Sequence, residues 1–140
     1  MRYFLLILLL CLNSCLGYRL QVQTQYLDQE NLASYQVGTP DPNLDCPKIG
    51  QRLLIQWKLH KCFAKQPLWL HIQVRFFNRQ IDDLKIPLDE KSGTYLYDVI
   101  NEQYRITRGI LTYKVDIYAD EEIIDSWQHP LWANLINFAQ

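Results

Sequence analysis

Several features that would reveal a function are missing from this 140-residue sequence. Lys and Arg number 14 and Asp and Glu number 15, and no stretch is rich in basic residues, so the basic surface that nucleic-acid binding needs is not expected. Five glycines and six prolines are too few for a low-complexity chain. A Gly-rich phosphate loop, a Gly-x-Ser-x-Gly elbow and a His-Glu-x-x-His motif are all lacking. We therefore expect no cofactor, no nucleic-acid partner and no enzymatic activity.

Long hydrophobic runs are also missing, and the one short run lies at the N terminus. Arg2 precedes an unbroken apolar stretch at residues 4–12, and small residues follow it. This order is typical of a secretory signal peptide, which we assign to residues 1–17. A membrane-spanning helix needs about twenty apolar residues. A cleaved signal is therefore favoured over a permanent transmembrane anchor, and the protein is predicted to be exported.

Residues 12–15, Leu-Asn-Ser-Cys, resemble a bacterial lipobox, the Leu-x-small-Cys tetrapeptide recognised by the lipoprotein signal peptidase. The resemblance implies that Cys15 becomes the mature N terminus and carries diacylglycerol on sulfur, with acyl chains such as palmitate. Leu16 follows instead of Asp, so by analogy with known lipoproteins no inner-membrane retention is expected, and the predicted location is the outer membrane, on its periplasmic face or at the cell surface. Each buried methylene contributes about 0.8 kcal/mol, so several acyl chains would anchor the protein stably. The alternative is ordinary cleavage after Gly17.

The chain after the signal divides into a spacer and one domain. Residues 18–31 are polar and glutamine-rich, with weak alternation at Leu20 and Val22. We interpret them as a spacer, with at most one loose strand, which lifts the rest of the chain off the membrane. A single domain is predicted for residues 32–140.

From residue 32 onward, apolar and polar side chains alternate with a period of two, as in half-buried strands. The predicted strands lie near residues 33–37, 53–59, 68–76, 81–88, 95–100, 104–106, 111–117 and 123–128. Turns are predicted at Asn78-Arg79, at Ser92-Gly93 and at residues 119–122. Seven or eight short strands predict an all-β fold, an antiparallel β-sandwich. Residues 131–139 are left open as a short C-terminal helix, a last strand or a tail.

The segment 109–127 resembles the last hairpin of an immunoglobulin-like sandwich. Tyr113 stands where such domains place a tyrosine at the start of the penultimate strand. Trp57, on a predicted inner face, takes the place of the core tryptophan. Val115 occupies the position of the second cysteine, so the usual disulfide between the sheets is not expected.

Two cysteines, Cys46 and Cys62, remain in the predicted domain. An exported protein meets an oxidising compartment, so we predict a disulfide between them, with Pro47 and Gly50 allowing the chain to fold back. Closing a loop of about fifteen residues would contribute roughly 3 kcal/mol. The alternatives are two free thiols, or a zinc site that also uses His60. The zinc site lacks paired Cys-x-x-Cys spacing and a fourth ligand, so no metal is predicted.

Three aromatic side chains fall on the polar side of their predicted strands: Trp69, Phe77 and Tyr118. An exposed aromatic patch marks a binding surface. The alternative is that Trp127 and Trp132 cover these rings. His71 and the pair Asp82-Asp83 are interpreted as solvated side chains at strand faces and ends.

The whole chain resembles the small envelope lipoproteins of chlamydia-like bacteria. The resemblance rests on residues 37–42 (Val-Gly-Thr-Pro-Asp-Pro), 92–95 (Ser-Gly-Thr-Tyr) and 109–115 (Gly-Ile-Leu-Thr-Tyr-Lys-Val). It implies lipidation and a non-enzymatic role and transfers no functional site. We expect a membrane-tethered module that binds another envelope protein, as lipidated pilotins do by analogy of fold. A carbohydrate-binding module and a hydrolase with an unrecognised site are the alternatives.

Overall fold

The computed structural model describes residues 19–134, apart from the side chains of Arg19 and Ala64, so the signal-like segment and Cys15 lie outside it. Its strands are β1 (Arg19–Leu27), β2 (Gly50–Lys58), β3 (Leu68–Phe76), β4 (Ile81–Leu88), β5 (Ser92–Ile100), β6 (Ile110–Ala119) and β7 (Glu122–Gln128). The connections contain two short helices, α1 (Ala33–Val37) and α2 (Asn101–Thr107), and the 3-10 turns Pro42–Leu44 and Lys61–Lys65. The predicted all-β fold is confirmed.

The strands form two antiparallel sheets, a three-stranded one in the order β1-β2-β5 and a four-stranded one in the order β4-β3-β6-β7. In immunoglobulin-like sandwiches, strands A, B and E share one sheet, while C, F and G share the other, with C′ added beside C. The seven strands occupy these places in chain order. The architecture is therefore an antiparallel β-sandwich.

The core lies between the sheets and is built by the predicted period of two. The fully buried apolar side chains are Leu53, Ile55, Leu70, Ile72, Val74, Val99, Val115 and Ile117. Trp57 is not the central core tryptophan that the sequence suggested. It lies half-buried near the end of β2, the equivalent of strand B and not of strand C, and its indole packs over Gly93 on β5.

The glutamine-rich segment is a full strand and not a spacer. β1 pairs with β2 along its whole length, from Arg19 opposite Lys58 to Leu27 opposite Gly50. Leu20 and Val22 are buried in the core, and these two side chains are enough to fix the strand. The folded domain therefore includes β1, which precedes residue 32.

Two predicted strands are helices. Residues 33–37 form α1, which Gly38 ends in the left-handed conformation at φ 67°, and residues 104–106 belong to α2. Alternating apolar residues suggested strands at both places, but α1 buries no side chain and α2 buries only Thr107. The turn predicted at Ser92-Gly93 is also wrong, because these residues begin β5. Residues 131–134 form neither helix nor strand, and the rest of the predicted terminal element lies outside the described residues.

The predicted disulfide is not formed. Cys46 and Cys62 are both free and exposed. They flank β2 on opposite sides, and a nine-residue strand is roughly 30 Å long. Bridged cysteines need Cα atoms within about 7 Å of each other, so the extended strand keeps these two apart.

Candidate binding face of the four-stranded sheet

The outer face of the four-stranded sheet carries a shallow cleft at one end. Strand register places Trp69 of β3 between Pro87 on β4 and Tyr118 on β6, and places His71 between Lys85 and Asp116 in the next row. The cleft has a volume of about 410 Å³. Its lining consists of Trp69, His71, Lys85, Tyr118, Asp120 and Glu121. Aromatic rings, a cation and two carboxylates thus meet in one place.

Two of the three predicted binding aromatics come together there. Trp69 is 41% exposed and lies directly opposite the half-buried Tyr118 across the β3–β6 ladder. Phe77 is 56% exposed but lies eight residues further along the chain, roughly 26 Å away for extended backbone. Its backbone N–H donates to the Gly109 carbonyl at the far end of the sandwich. Phe77 is therefore not part of the cleft, and binding by the other two stays a prediction.

The C-terminal segment covers a different part of this face. The Trp132 ring stacks on the Arg75 guanidinium, 3.9 Å from its carbon to the ring centroid. Arg75 Nη1 also donates to the Ala133 carbonyl at 2.6 Å. Trp127 of β7 lies opposite Val115 of β6. Val115 is buried in the core, so Trp127 belongs to the inner side of the sheet and does not cover Trp69. The proposed covering thus applies to the end of β3 near Arg75 and leaves Trp69 accessible.

A hydrogen-bonded network forms the floor beside Trp69. His71 Nε2 lies 2.8 Å from Asp83 Oδ1, and Gln73 Nε2 donates to Asp83 Oδ2 at 3.0 Å. The hydrogen bond from Gln73, followed by that from His71, lowers the pKa of the Asp83 carboxyl. The His71 side chain is only 12% exposed, so its interpretation as a solvated histidine is wrong. Its Nδ1 is buried without a partner among the described residues, so no hydroxyl or thiol there is hydrogen-bonded to that nitrogen.

This face contains a second cluster of polar side chains, which the sequence did not predict. Asp116 is 2% exposed, although it stands on the polar side of β6. Lys114 Nζ lies 2.8 Å from its carboxylate, and Ser126 Oγ of β7 donates to it at 2.5 Å. A buried carboxylate needs such compensation, because desolvation penalises the charge. Alternation alone marked Asp116 as solvent-facing, and only the cross-strand neighbours reveal its burial.

The arrangement is suited to binding a ligand that combines an apolar surface with charged groups. Trp69 and Tyr118 supply the apolar contact, while Lys85 and the carboxylates of Asp120 and Glu121 supply charges of both signs. Next to these residues, His71 and Gln73 are both hydrogen-bonded to Asp83. Among residues 19–134, no group of three His, Cys, Asp or Glu side chains is placed to hold a metal ion.

Comparison with known proteins adds no assignment. No family model, no curated protein and no solved structure is significantly similar to this chain. In the described part of the chain, no helix has the length and apolar character needed to cross a membrane.

Proposed function

We propose that this domain is a non-catalytic interaction module, tethered to the bacterial outer membrane through lipid on Cys15, that binds another envelope protein. The observation that supports it is Trp69, a large aromatic side chain left 41% exposed in a cleft with ordered polar neighbours. The partner would insert an apolar side chain beside Trp69 and Tyr118.

The composition of the cleft favours a protein ligand. Tryptophan and tyrosine are over-represented among the residues that dominate binding energy at protein interfaces, and polar residues form the rim around them. Here Lys85, Asp120 and Glu121 occupy the rim. The cleft is open and shallow, as an interface is, and not a deep pocket that encloses a small substrate.

The experiment is a pull-down from envelope extracts with the lipidated protein, followed by measurement of the affinity for the purified partner. Trp69→Ala is expected to weaken that affinity by about a hundredfold, the effect of losing a central aromatic contact. Phe77→Ala is the control, because it removes another exposed aromatic ring at the other end of the sandwich. Equal affinities for the wild type and for Trp69→Ala would refute the proposed site.

A carbohydrate ligand is the second candidate, supported by the hydrogen-bonding side chains that surround the Trp69 ring. A sugar could stack on Trp69 while His71, Lys85 and Asp120 bond its hydroxyls. Binding to a glycan array that disappears in Trp69→Ala, together with no protein partner, would favour this candidate. Lys85→Ala would then also reduce binding, because it removes a side chain that donates hydrogen bonds to the sugar hydroxyls.

The tether is tested separately. Cys15→Ala is expected to move the protein from the membrane fraction to the soluble periplasmic fraction. Mass spectrometry of the wild type should show an acylated cysteine at the N terminus of the mature chain. A mature chain that begins at residue 18 and carries no lipid would show that ordinary cleavage occurs instead.

A further inference from the structure

The two sheets have edge strands that differ in how well they are protected. At the β1–β7 side, the Asp125 carboxylate of β7 accepts a hydrogen bond from the Leu20 backbone N–H at 2.8 Å, which partly closes that side. At the opposite side, β4 carries Lys85 and Pro87, which discourage pairing with another strand. β5 has nine residues with no proline and no lysine. Among the described edge strands, β5 therefore stands out because it lacks proline, lysine and any side-chain hydrogen bond to its backbone N–H groups, whereas β1 and β7 each have such a bond.

The free edge of β5 can be assigned residue by residue. Leu59 N–H donates to the Lys91 carbonyl at 2.8 Å, and Asn101 N–H donates to the Ile49 carbonyl at 2.7 Å. These bonds extend the β2–β5 register at its two ends, and bonded pairs alternate with non-bonded pairs in an antiparallel ladder. Odd-numbered residues of β5 therefore bond to β2. The even-numbered residues direct N–H and C=O groups outward: Ser92, Thr94, Leu96, Asp98 and Ile100.

We propose that a second copy of this chain pairs with this edge, β5 against β5, in an antiparallel ladder centred on Leu96. The two three-stranded sheets would join into one six-stranded sheet with twofold symmetry. Immunoglobulin-like domains of the constant type have a strand D beside E, but here only residues 89–91 connect β4 and β5. The position beside β5 is therefore free for a strand from another molecule.

The register makes the edge complementary to itself. Leu96, which is 46% exposed, would face Leu96 of the other copy. Because Leu54 is the neighbour of Leu96 on β2, the two copies would form one continuous apolar row of four leucines. Thr94 would face Asp98 of the other copy, and Asp98 is already neutralised by Arg52 at 2.5 Å. No two like charges meet in this pairing.

The aromatic residues on the other side of the strand also match. Tyr95 of one copy would face Tyr97 of the other, a cross-strand aromatic pair of the kind that stabilises sheets. Any other register that keeps hydrogen-bonding groups opposite each other moves Leu96 away from the twofold axis. The proposal therefore specifies one register, which substitutions at a single position can test.

The protein is expressed from the complete sequence, processed by the cell and purified in mild detergent. Its mass is then measured by sedimentation across a concentration series. The wild type is expected to be a dimer that dissociates on dilution. Leu96→Lys and Leu96→Glu are each expected to weaken the dimer by about tenfold or more, because like charges then face each other across the axis. An equal mixture of the two variants is expected to recover the dimer, since Lys then faces Glu.

Ile81→Lys is the control, because it places the same charge at an exposed apolar position on β4 and is expected to leave the dimer unchanged. Circular dichroism verifies that each variant retains the sheet. A wild type that stays monomeric at every concentration would overturn the proposal. So would a dimer that persists in both Leu96 variants, or a mixture that fails to recover it. Because Trp69 lies on the other sheet, Trp69→Ala should not affect dimerisation, so the two proposals fail independently.

Discussion

The outer faces of the two sheets are built differently. On the three-stranded sheet, the outward side chains include several glutamines, a leucine pair and one partly exposed ion pair between Arg52 and Asp98. On the four-stranded sheet, the outward side chains include two hydrogen-bonded clusters, one around Asp83 and one around Asp116, and Asp116 is buried as deeply as a core residue. Both faces look polar in sequence, but only one has ordered polar groups that are withdrawn from water.

This difference is one of free energy. Burying a carboxylate costs free energy unless bonds to it are arranged with good geometry. A sheet that only needs to be soluble can place glutamine there at no cost. The hydrogen bonds and the ion pair to Asp83 and Asp116 supply that compensation on the four-stranded sheet.

The largest expected effect comes from removing the buried carboxylate of Asp116. Asp116→Ala removes the carboxylate that Lys114 and Ser126 both contact, and it leaves the Lys114 ammonium next to an apolar cavity. We therefore expect a loss of about 3 kcal/mol in the free energy of unfolding. Asp98→Ala on the other sheet leaves Arg52 able to reach water and should cost about 1 kcal/mol or less. Urea unfolding followed by tryptophan fluorescence measures both. Equal losses would show that the two faces do not differ in the way described.

An intermediate effect is expected from removing the hydrogen bond that joins the two sheets between Tyr97 and Asp82. The Tyr97 hydroxyl of β5 donates to Asp82 Oδ2 of β4 at 2.5 Å, and burial raises the pKa of Tyr97 above its ordinary value. Tyr97→Phe should lower stability by about 1 kcal/mol, because a half-buried acceptor loses its donor. Tyr95→Phe is the control, since that hydroxyl makes no hydrogen bond within the described residues. If both substitutions have the same effect in urea unfolding, the tie between the sheets contributes nothing.

The smallest effect is a dependence on pH to which each face contributes. Hydrogen bonds from Gln73 lower the pKa of Asp83, and those from Arg52 lower the pKa of Asp98. Both carboxyls have a pKa near 3.9 in the unfolded chain, so the unfolded state binds more protons below that value. Stability should therefore be complete above about pH 4 and fall as the pH drops through the lower folded values.

The pH dependence can be separated between the faces by substitution. Asp83→Asn and Asp98→Asn are each expected to make the loss of stability on acidification less steep. Thermal unfolding between neutral and strongly acidic pH measures the slope. A steeper acid loss in either variant would contradict the assigned bonds.

Most of the sandwich could be predicted from the sequence because its central strands bury one face completely. In β2, β3 and β6, every second residue over most of the strand is a large apolar side chain, and no helix can bury such a pattern. The strand β1 was predicted as at most a loose strand because only Leu20 and Val22 reach the core, while three of its seven other residues are glutamines, which an edge strand tolerates. Its pairing with β2 is a long-range interaction that local patterns do not encode.

The two short helices and the composition of the cleft could not be predicted from local sequence patterns. α1 and α2 are five and seven residues long and expose most of their side chains, so neither has an apolar stripe to recognise. Outward aromatics could be identified, but their distances could not, and Phe77 was therefore grouped with Trp69. The burial of Asp116 depends on Lys114 and on Ser126 of the next strand, which alternation cannot distinguish from solvent exposure.

The course of β1 has a consequence for how the molecule meets the bilayer. Its first residue, Arg19, lies at the end of the sandwich where β2 leads into β3, and this is the end that carries Trp69 and the Asp120-Glu121 turn. With the lipid proposed on Cys15, the four peptide units before Arg19 span at most roughly 14 Å. The cleft would then open close to the lipid headgroups. We therefore expect its partner to be a protein embedded in, or lying flat on, the same membrane, and not one that approaches from the periplasmic interior.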